Sequence, residues 1–219
     1  MRFTTIGSAP NRGVFRQNFL LQGLLLWYAV LWIFLAISPV DRSDWALENI
    51  LAMAFVLVLI LTYRRFLFSD LSYVLITIFL TVHAVGAHYT YSQVPLGFWL
   101  KDALGLSRNH YDRIVHFAFG LLMHYPIREM TIRRAAVREP WSYVVAIAIV
   151  QACSDLFEII EAVVAQIVAP DLGNAYLGTQ GDPWDAQKDM AAAFSGAVVA
   201  AGLTLAIPRS YSPKPRPAA

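Results

Sequence analysis

Six apolar segments make up most of this chain, and each is close to the length that crosses a lipid bilayer. They cover residues 19–37, 46–63, 71–91, 110–127, 142–168 and 186–207. A membrane helix needs about 20 predominantly apolar residues to cross roughly 30 Å of hydrocarbon. Only 15% of the 219 residues are charged, whereas a soluble domain usually carries about 25%. The sequence therefore predicts an all-α, polytopic transmembrane helix bundle with about six spans.

The positions of lysine and arginine predict the orientation of these spans. Twelve of the 17 basic residues lie in the segment 1–18, in the loops after the second and fourth spans, and in the tail 208–219. Because basic residues concentrate in cytoplasmic loops, both termini are expected in the cytoplasm, on either side of a transmembrane domain at 19–207. The Pro-rich tail is expected to be disordered. The net charge is only +2, so no nucleic-acid partner is expected.

Two of the loops on the predicted outer side are long enough to carry structure of their own. The segment "PLGFWLKDALGL" places Phe98 and Trp99 beside Lys101 and predicts a short interfacial helix. The segment "APDLGNAYLGTQGDP" contains three glycines and predicts an irregular loop that leads into the last span.

Ionisable residues interrupt the apolar segments, and with this orientation four spans bring carboxylates and imidazoles to one depth, the outer half of the membrane. Asp112 and His116 are four residues apart, and so are Gln151 and Asp155, so each pair shares a helix face. Charged groups inside a membrane are costly and usually mark a functional site. The outer cluster so predicted comprises His88, Asp112, Arg113, His116, Asp155, Glu158, Glu161, Asp182, Asp185 and Asp189.

Acids outnumber cations in this cluster. Its membrane part holds six carboxylates, and Arg113 and Lys188 are the neighbouring permanent cations. Excess acid has to be relieved by raised pKa values, by water or by a bound cation, and this set suits zinc or a similar divalent ion. The candidate metal ligands are His116, Glu158, Asp185 and Asp189. The candidate catalytic groups are His116, Glu158 and Asp112, with His88, Arg113, Asp155, Glu161 and Asp182 as substrate or supporting residues.

Structural roles remain open alternatives for several of these residues. Asp182 followed by Pro183 is typical of the start of a helix, with the aspartate as N-cap. His83 is expected to be a buried hydrogen-bonding residue of the core. Arg113 could neutralise nearby carboxylates, which would make the whole cluster a buried ion-pair network.

Three segments carry a resemblance to a known family: "YDRIVHFAFGLL", "SDLFEIIEA" and "GDPWDAQKDMAAAFSGA". They resemble the YjdF-like bacterial inner-membrane proteins, and the similarity extends over residues 20–207. The resemblance implies a multi-pass protein of the bacterial cytoplasmic membrane. It supports five of the cluster residues as a set and implies no reaction. These five are Asp112, His116, Glu158, Asp185 and Asp189.

A more distant similarity connects the same residues to VanZ-like membrane proteins. It rests on the pattern D-[KR]-x-x-H on one span, an acid on the next, and D-x-x-x-D-M before small residues. VanZ-like proteins are associated with resistance to glycopeptide antibiotics. This chain has Ala192 and Ala193 where the VanZ pattern has an asparagine, so that association is not carried over.

The first functional hypothesis is a membrane-embedded, metal-assisted hydrolase or transferase that acts on a lipid-like or lipid-linked substrate entering from the outer leaflet. The alternatives are a proton-coupled transporter of small molecules and a non-catalytic membrane scaffold with a structural polar core. Membrane lipid is the expected partner in every case. The sequence leaves the oligomeric state open.

Overall fold

The computed structural model describes residues 15–206, which form helices joined by short loops. A single 3-10 turn at Phe15–Gln17 precedes eight α-helices. These are α1 (Phe19–Leu35), α2 (Arg42–Thr62), α3 (Asp70–His88), α4 (Pro95–Leu104), α5 (Tyr111–Ala135), α6 (Trp141–Ile167), α7 (Pro170–Leu177) and α8 (Asp185–Ala206). Most of the predicted N-terminal segment and the whole predicted tail lie outside the described residues.

The long helices match the six predicted spans in number and order. Four of them, α2, α3, α6 and α8, are long and apolar enough to cross a membrane. Helix α1 is apolar along its 17 residues, and α5 has 25 residues with a basic last turn. These features confirm the predicted all-α membrane bundle.

The two outer loops each contain a short helix, one of them predicted and one not. Helix α4 confirms the short helix expected in the first loop. The prediction of an irregular second loop was wrong, because Pro170 begins α7 and Gly178 ends it with a left-handed backbone at φ 59°. Tyr176 is buried on this helix. Gly178, one of the three glycines that predicted an irregular loop, therefore terminates a helix instead.

The placement of Arg128 in the loop after the fourth span was also wrong, because α5 continues to Ala135. Arg128, which looked like a membrane boundary, is buried and pairs with Glu139. Its guanidinium lies 3.8 Å from the centre of the Tyr143 ring and donates a hydrogen bond to Ser142 Oγ at 3.2 Å. A buried and partnered arginine does not end a helix, so its charge misled the prediction.

A buried carboxylate fixes the inner end of the bundle. Glu129 on α5 accepts hydrogen bonds from the backbone N–H of Ser69 at 2.9 Å and from the hydroxyl groups of Ser69 and Ser72 at 2.8 and 2.5 Å. It also pairs with Arg133 one turn further along. Because Ser69 is the N-cap of α3, this set of contacts joins the start of α3 to α5.

Helices α5 and α8 approach each other more closely than ordinary side chains would allow. A Cβ atom added at Gly120 would collide with the backbone of Ala193, and one added at Gly196 would collide with the backbone of Phe117. Ala193 and Ala197 are completely buried at the same contact. Small residues of this kind let membrane helices pack backbone to backbone, and here they bring the acids at the outer ends of α5 and α8 together.

This contact can be tested with two glycines of the same helix. We expect Gly196→Val to lower the free energy of unfolding by about 1–3 kcal/mol, because the added methyl groups overpack a closed contact. Gly202→Val is the matched control, because nothing lies within 4 Å of a Cβ atom at that position. Thermal unfolding of the detergent-purified variants measures the difference, and equal stability of the two variants would contradict the close approach.

Candidate active site at the outer end of the bundle

The outer ends of three long helices converge on one polar region. The first turns of α5 supply Asp112 and His116, and the last third of α6 supplies Glu158. The first turns of α8 supply Asp185 and Asp189. Because α5 packs against both α6 and α8, and α6 also packs against α8, the structure brings these side chains to the same end of the bundle.

An ion-pair network connects the chain just before α5 to the start of α8. Arg108 binds Asp185 through two contacts, Nη1 to Oδ1 at 2.5 Å and Nη2 to Oδ2 at 3.2 Å. Its Nη1 also donates to the carbonyl oxygen of Thr179 at 2.7 Å. Arg113 pairs with Asp182 at 2.5 Å and with Asp185 at 3.1 Å. Arg113 therefore neutralises nearby carboxylates, the structural role that the sequence left open, and its partners are Asp182 and Asp185.

His116 lies between two carboxylates from different helices. Its Nε2 is 3.2 Å from Glu158 Oε1 and 3.6 Å from Asp112 Oδ1. On the other side of the ring, Nδ1 is 3.4 Å from the hydroxyl of Ser154. The imidazole is buried, so it is in position to exchange a proton with either acid without contact with bulk water.

Three aspartates form a second group beside this histidine. Asp112, Asp185 and Asp189 each place a carboxylate oxygen within 4.8 Å of the others. Asp189 is 2% exposed, and its Oδ1 has no hydrogen-bond partner within residues 15–206. Arg113 Nε, 3.9 Å away, also lacks a hydrogen bond there. A buried carboxylate oxygen with no partner carries a desolvation cost, and a bound cation would remove that cost.

The predicted metal ligands thus divide into two groups. His116 and Glu158 lie together, Asp185 and Asp189 lie together, and Asp112 contacts both groups. The aspartate group has only oxygen donors. An all-oxygen set is typical of magnesium, manganese or calcium, whereas an imidazole in the set would favour zinc.

Two further acids, both missed by the sequence analysis, come from α2. Asp44 is 1% and Glu48 is 3% exposed. One oxygen of each has no hydrogen-bond partner among the described residues. Glu48 lies within electrostatic range of Asp112 and Glu158. Their spacing of four residues at the outer start of the second span was the signal for a buried pair, but the two acids lie at the boundary of the predicted span and were not included in the predicted cluster.

Arg108 was missed for a similar reason, because it lies in a loop and outside every predicted span. It is nevertheless 7% exposed. A basic residue just before an acid-rich helix start was the signal available in the sequence. With Arg108 included, the permanent cations at this end still number fewer than the acids, so the predicted excess of acid remains.

The supporting residues take different positions. Glu161 is buried within electrostatic range of Asp112 and Glu158, and Asp155 accepts a hydrogen bond from Gln151 at 2.5 Å. His88 is engaged elsewhere, with Nδ1 2.7 Å from the carbonyl oxygen of Leu35.

His83 is a fully engaged core residue, as predicted. Its Nε2 lies 3.2 Å from the carbonyl oxygen of Glu48, and its Nδ1 lies 2.5 Å from the hydroxyl of Tyr91.

Asp182 combines the capping and ion-pair roles that the sequence left open. It accepts a hydrogen bond from the backbone N–H of Trp184 at 3.1 Å and pairs with Lys188 at 2.6 Å. Hydrogen bonding by Lys188 and then by Trp184 lowers the pKa of this carboxyl below its ordinary value. The rim of the site therefore favours an ionised Asp182.

An apolar cavity of about 450 Å³ leads to the site from the inner part of the bundle. Asp112, His116, His83 and Tyr91 lie at its outer end. Helices α2, α3, α5 and α6 supply the remaining walls, which are almost entirely apolar. These wall residues are Leu51, Ala52, Phe55, Phe79, Leu80, Val115, Phe119, Met123, Ile127, Met130, Ile149, Cys153 and Phe157.

Comparison with known proteins places the chain among bacterial membrane proteins. Residues 20–210 match the family model described as "Predicted membrane protein (DUF2238)". The inner membrane protein YjdF of Escherichia coli (strain K12) is 37% identical over 167 residues, which cover 76% of this chain and 79% of that protein. No solved structure matches the chain. The similarity to VanZ-like proteins stays a prediction.

The ion-pair network predicts that loss of Arg108 lowers the free energy of unfolding far more than loss of Lys188. We expect Arg108→Met to lower the free energy of unfolding by about 3–5 kcal/mol, because it leaves a buried carboxylate without its bidentate partner. Lys188→Met is the control and should change stability little, because Lys188 is 49% exposed and its pair is screened by solvent.

The double variant Arg108→Met/Asp185→Asn should recover part of the lost stability. Chemical denaturation in detergent measures all three variants. A loss no larger for Arg108→Met than for Lys188→Met would contradict the network.

Proposed function

The chain belongs to the DUF2238 family of membrane proteins, and we propose that it is a membrane-embedded enzyme that hydrolyses or transfers a group of a lipid-like substrate with the help of a divalent cation. It is a multi-pass protein of the bacterial inner membrane. The observation that carries the proposal is the apolar cavity that ends at Asp112 and His116. A hydrocarbon chain in the cavity would place a polar headgroup against the buried acids.

The walls of the cavity suit a substrate that arrives from the bilayer. Cys153 lines the cavity and is exposed on the surface of α6. Helix α2 forms the opposite wall and packs against α3 and α7, whereas α6 packs against α5, α7 and α8. Apart from the short helix α7, which contacts both, the two helices that border the cavity pack against different neighbours, and this supports lateral entry of a lipid between them.

The aspartate group would hold the cation. Asp189 offers an unpartnered oxygen, Asp112 faces the same point from α5, and Asp185 is fixed by Arg108 and Arg113. The all-oxygen donor set favours magnesium or manganese, and zinc is the alternative if His116 turns toward this group. When bound, such an ion would neutralise excess acid and stabilise negative charge on a phosphoryl or acyl group.

The histidine group would move the proton. His116 lies within reach of both Asp112 and Glu158, so it can take a proton from an attacking hydroxyl or water and pass it to a leaving group. Glu158 can hold that proton between the two steps. Asp112, shared by both groups, would keep the reacting atoms at the junction between them.

The two alternatives have weaker support. A proton-coupled transporter needs polar groups on both sides of the membrane, and the described residues that line the inner half of the cavity, Met123, Ile127, Met130 and Ile149, are apolar. A scaffold needs a satisfied polar core, whereas Asp189, Glu48 and Asp44 each leave an oxygen without a partner among the described residues.

Cation binding is the first test. We expect the purified, chelator-treated protein to bind manganese at one site, measured by the loss of the free-ion paramagnetic resonance signal. Asp189→Asn should weaken binding by roughly a hundredfold, because it removes the charge of the free ligand oxygen. Asp171→Asn, an exposed first-turn aspartate of α7, is the matched control and should bind like the unsubstituted chain. Equal binding by both variants, or none by the unsubstituted chain, would reject the cation role.

Turnover is the second test. The protein is incubated with inner-membrane lipid extract and magnesium or manganese, and lipid species are followed by mass spectrometry. We expect at least one lipid class to be consumed by the unsubstituted protein and to persist with His116→Gln, which should still bind manganese. Loss of manganese binding in His116→Gln would place the imidazole among the ligands, and an unchanged lipid profile with the unsubstituted protein would contradict the enzyme.

A further inference from the structure

The cavity follows one face of α5 for almost the whole membrane depth. Its lining residues on this helix recur at intervals of three and four positions from Asp112 to Met130. Eighteen residues of α-helix correspond to about 27 Å. The cavity is therefore nearly as long as the roughly 30 Å hydrocarbon core of a bilayer.

This length exceeds what an ordinary phospholipid chain requires. A phospholipid acyl chain fills one leaflet, which is about half of the hydrocarbon core, or roughly 15 Å. A chain of that length starting at Asp112, the outer end of the cavity, would end near Met123 and leave the part of the cavity at Ile127 and Met130 empty. Empty apolar volume is unfavourable because the wall atoms lose their dispersion contacts.

The polar groups of the cavity lie at one end only. Asp112, His116, His83 and Tyr91 are at the outer end, and the inner part is lined by aliphatic and thioether side chains. A ligand with one polar end and one long apolar chain matches this distribution. A volume of about 450 Å³ over such a length leaves room for one chain and not for the two of a phospholipid.

We propose that the ligand of this cavity is a single-chain lipid whose hydrocarbon chain is longer than one leaflet, the chemistry of the polyprenyl lipids. Its polar end lies at Asp112 and His116, and its chain runs along α5 past Phe119 to Met130. That this ligand is also the substrate of the protein rests on the proposed function. Binding itself requires neither the cation nor turnover.

Photo-crosslinking with neutral polyprenols tests the proposal separately from catalysis. The chelator-treated protein, in phospholipid nanodiscs, is exposed to a farnesol analogue that carries a diazirine on its last isoprene unit, or to an undecaprenol analogue that carries it on the sixth isoprene unit from the hydroxyl. We expect the undecaprenol probe to label peptides containing Ile127 and Met130, and the farnesol probe to label the region of Phe119 and Cys153. The phospholipid of the disc competes in both cases.

A pair of tryptophan substitutions on α6 supplies the control. Ile149 lines the inner part of the cavity, and Val144 is exposed on the same helix and absent from the lining. We expect Ile149→Trp to weaken undecaprenol labelling at Ile127 and Met130 roughly tenfold and to leave farnesol labelling unchanged. Val144→Trp should change neither, and both substitutions leave the polar cluster intact.

The outcomes separate the two proposals. Three results would each overturn the proposal of a long-chain ligand. They are labelling of the same peptides by both probes, equal effects of the two substitutions, and displacement of undecaprenol by the disc phospholipid. Depth-dependent labelling without any lipid turnover would retain the ligand and reject the enzyme. Turnover of an ordinary phospholipid without such labelling would retain the enzyme and reject the long chain.

Discussion

The double ion pair between Arg108 and Asp185 holds the outer end of this protein together. It connects the segment before α5 to the first turn of α8, and Arg113 reinforces it through Asp182 and Asp185. Burying an arginine and an aspartate separately would cost several kcal/mol each, so the two groups have to be buried as a pair. Because the pair fixes the starts of both helices, it also fixes the depth at which Asp112, His116 and Asp189 enter the bundle.

The close contact between α5 and α8 then determines how near those groups come to one another. Gly120 and Gly196 remove the side chains that would separate the two backbones, and about two turns nearer the outer surface Asp112 and Asp189 face a common point. The charge network and the small residues therefore act together to position the site. The network sets the register of the helices, and the glycines set their distance.

Periodicity and composition were enough to predict the spans, their order and most of the cluster, because a membrane helix must be apolar and its rare ionisable residues stand out. The failures share one cause: the sequence does not show which charged residues are buried. Arg128 was placed in a loop although Glu139 and Tyr143 cover it, and Arg108, Asp44 and Glu48 were left out of the predicted cluster.

Partners distant in the chain decide burial in each of these cases. The Thr179 carbonyl and Asp185 accept from Arg108 more than 70 residues away. Helix α7 was missed because its ends depend on Pro170 and Gly178, residues that are just as common in irregular loops.

The carboxylate oxygens without hydrogen-bond partners distinguish a structural from a functional explanation of the cluster. In an ion-pair network selected for stability, each buried carboxylate would have both oxygens bonded to a cation, as both oxygens of Asp185 are bonded to Arg108. Asp189, two percent exposed and one turn further into the same helix, has no such partner for its Oδ1 among the described residues. Two arginines hydrogen-bond the aspartate that positions α8, whereas the nearest guanidinium nitrogen to Asp189 Oδ1, Arg113 Nε, stays 3.9 Å away and makes no hydrogen bond to it. The proposed cation at that point, beside His116 and at the end of the apolar cavity, would account for the unpartnered oxygen, the buried imidazole and the cavity together.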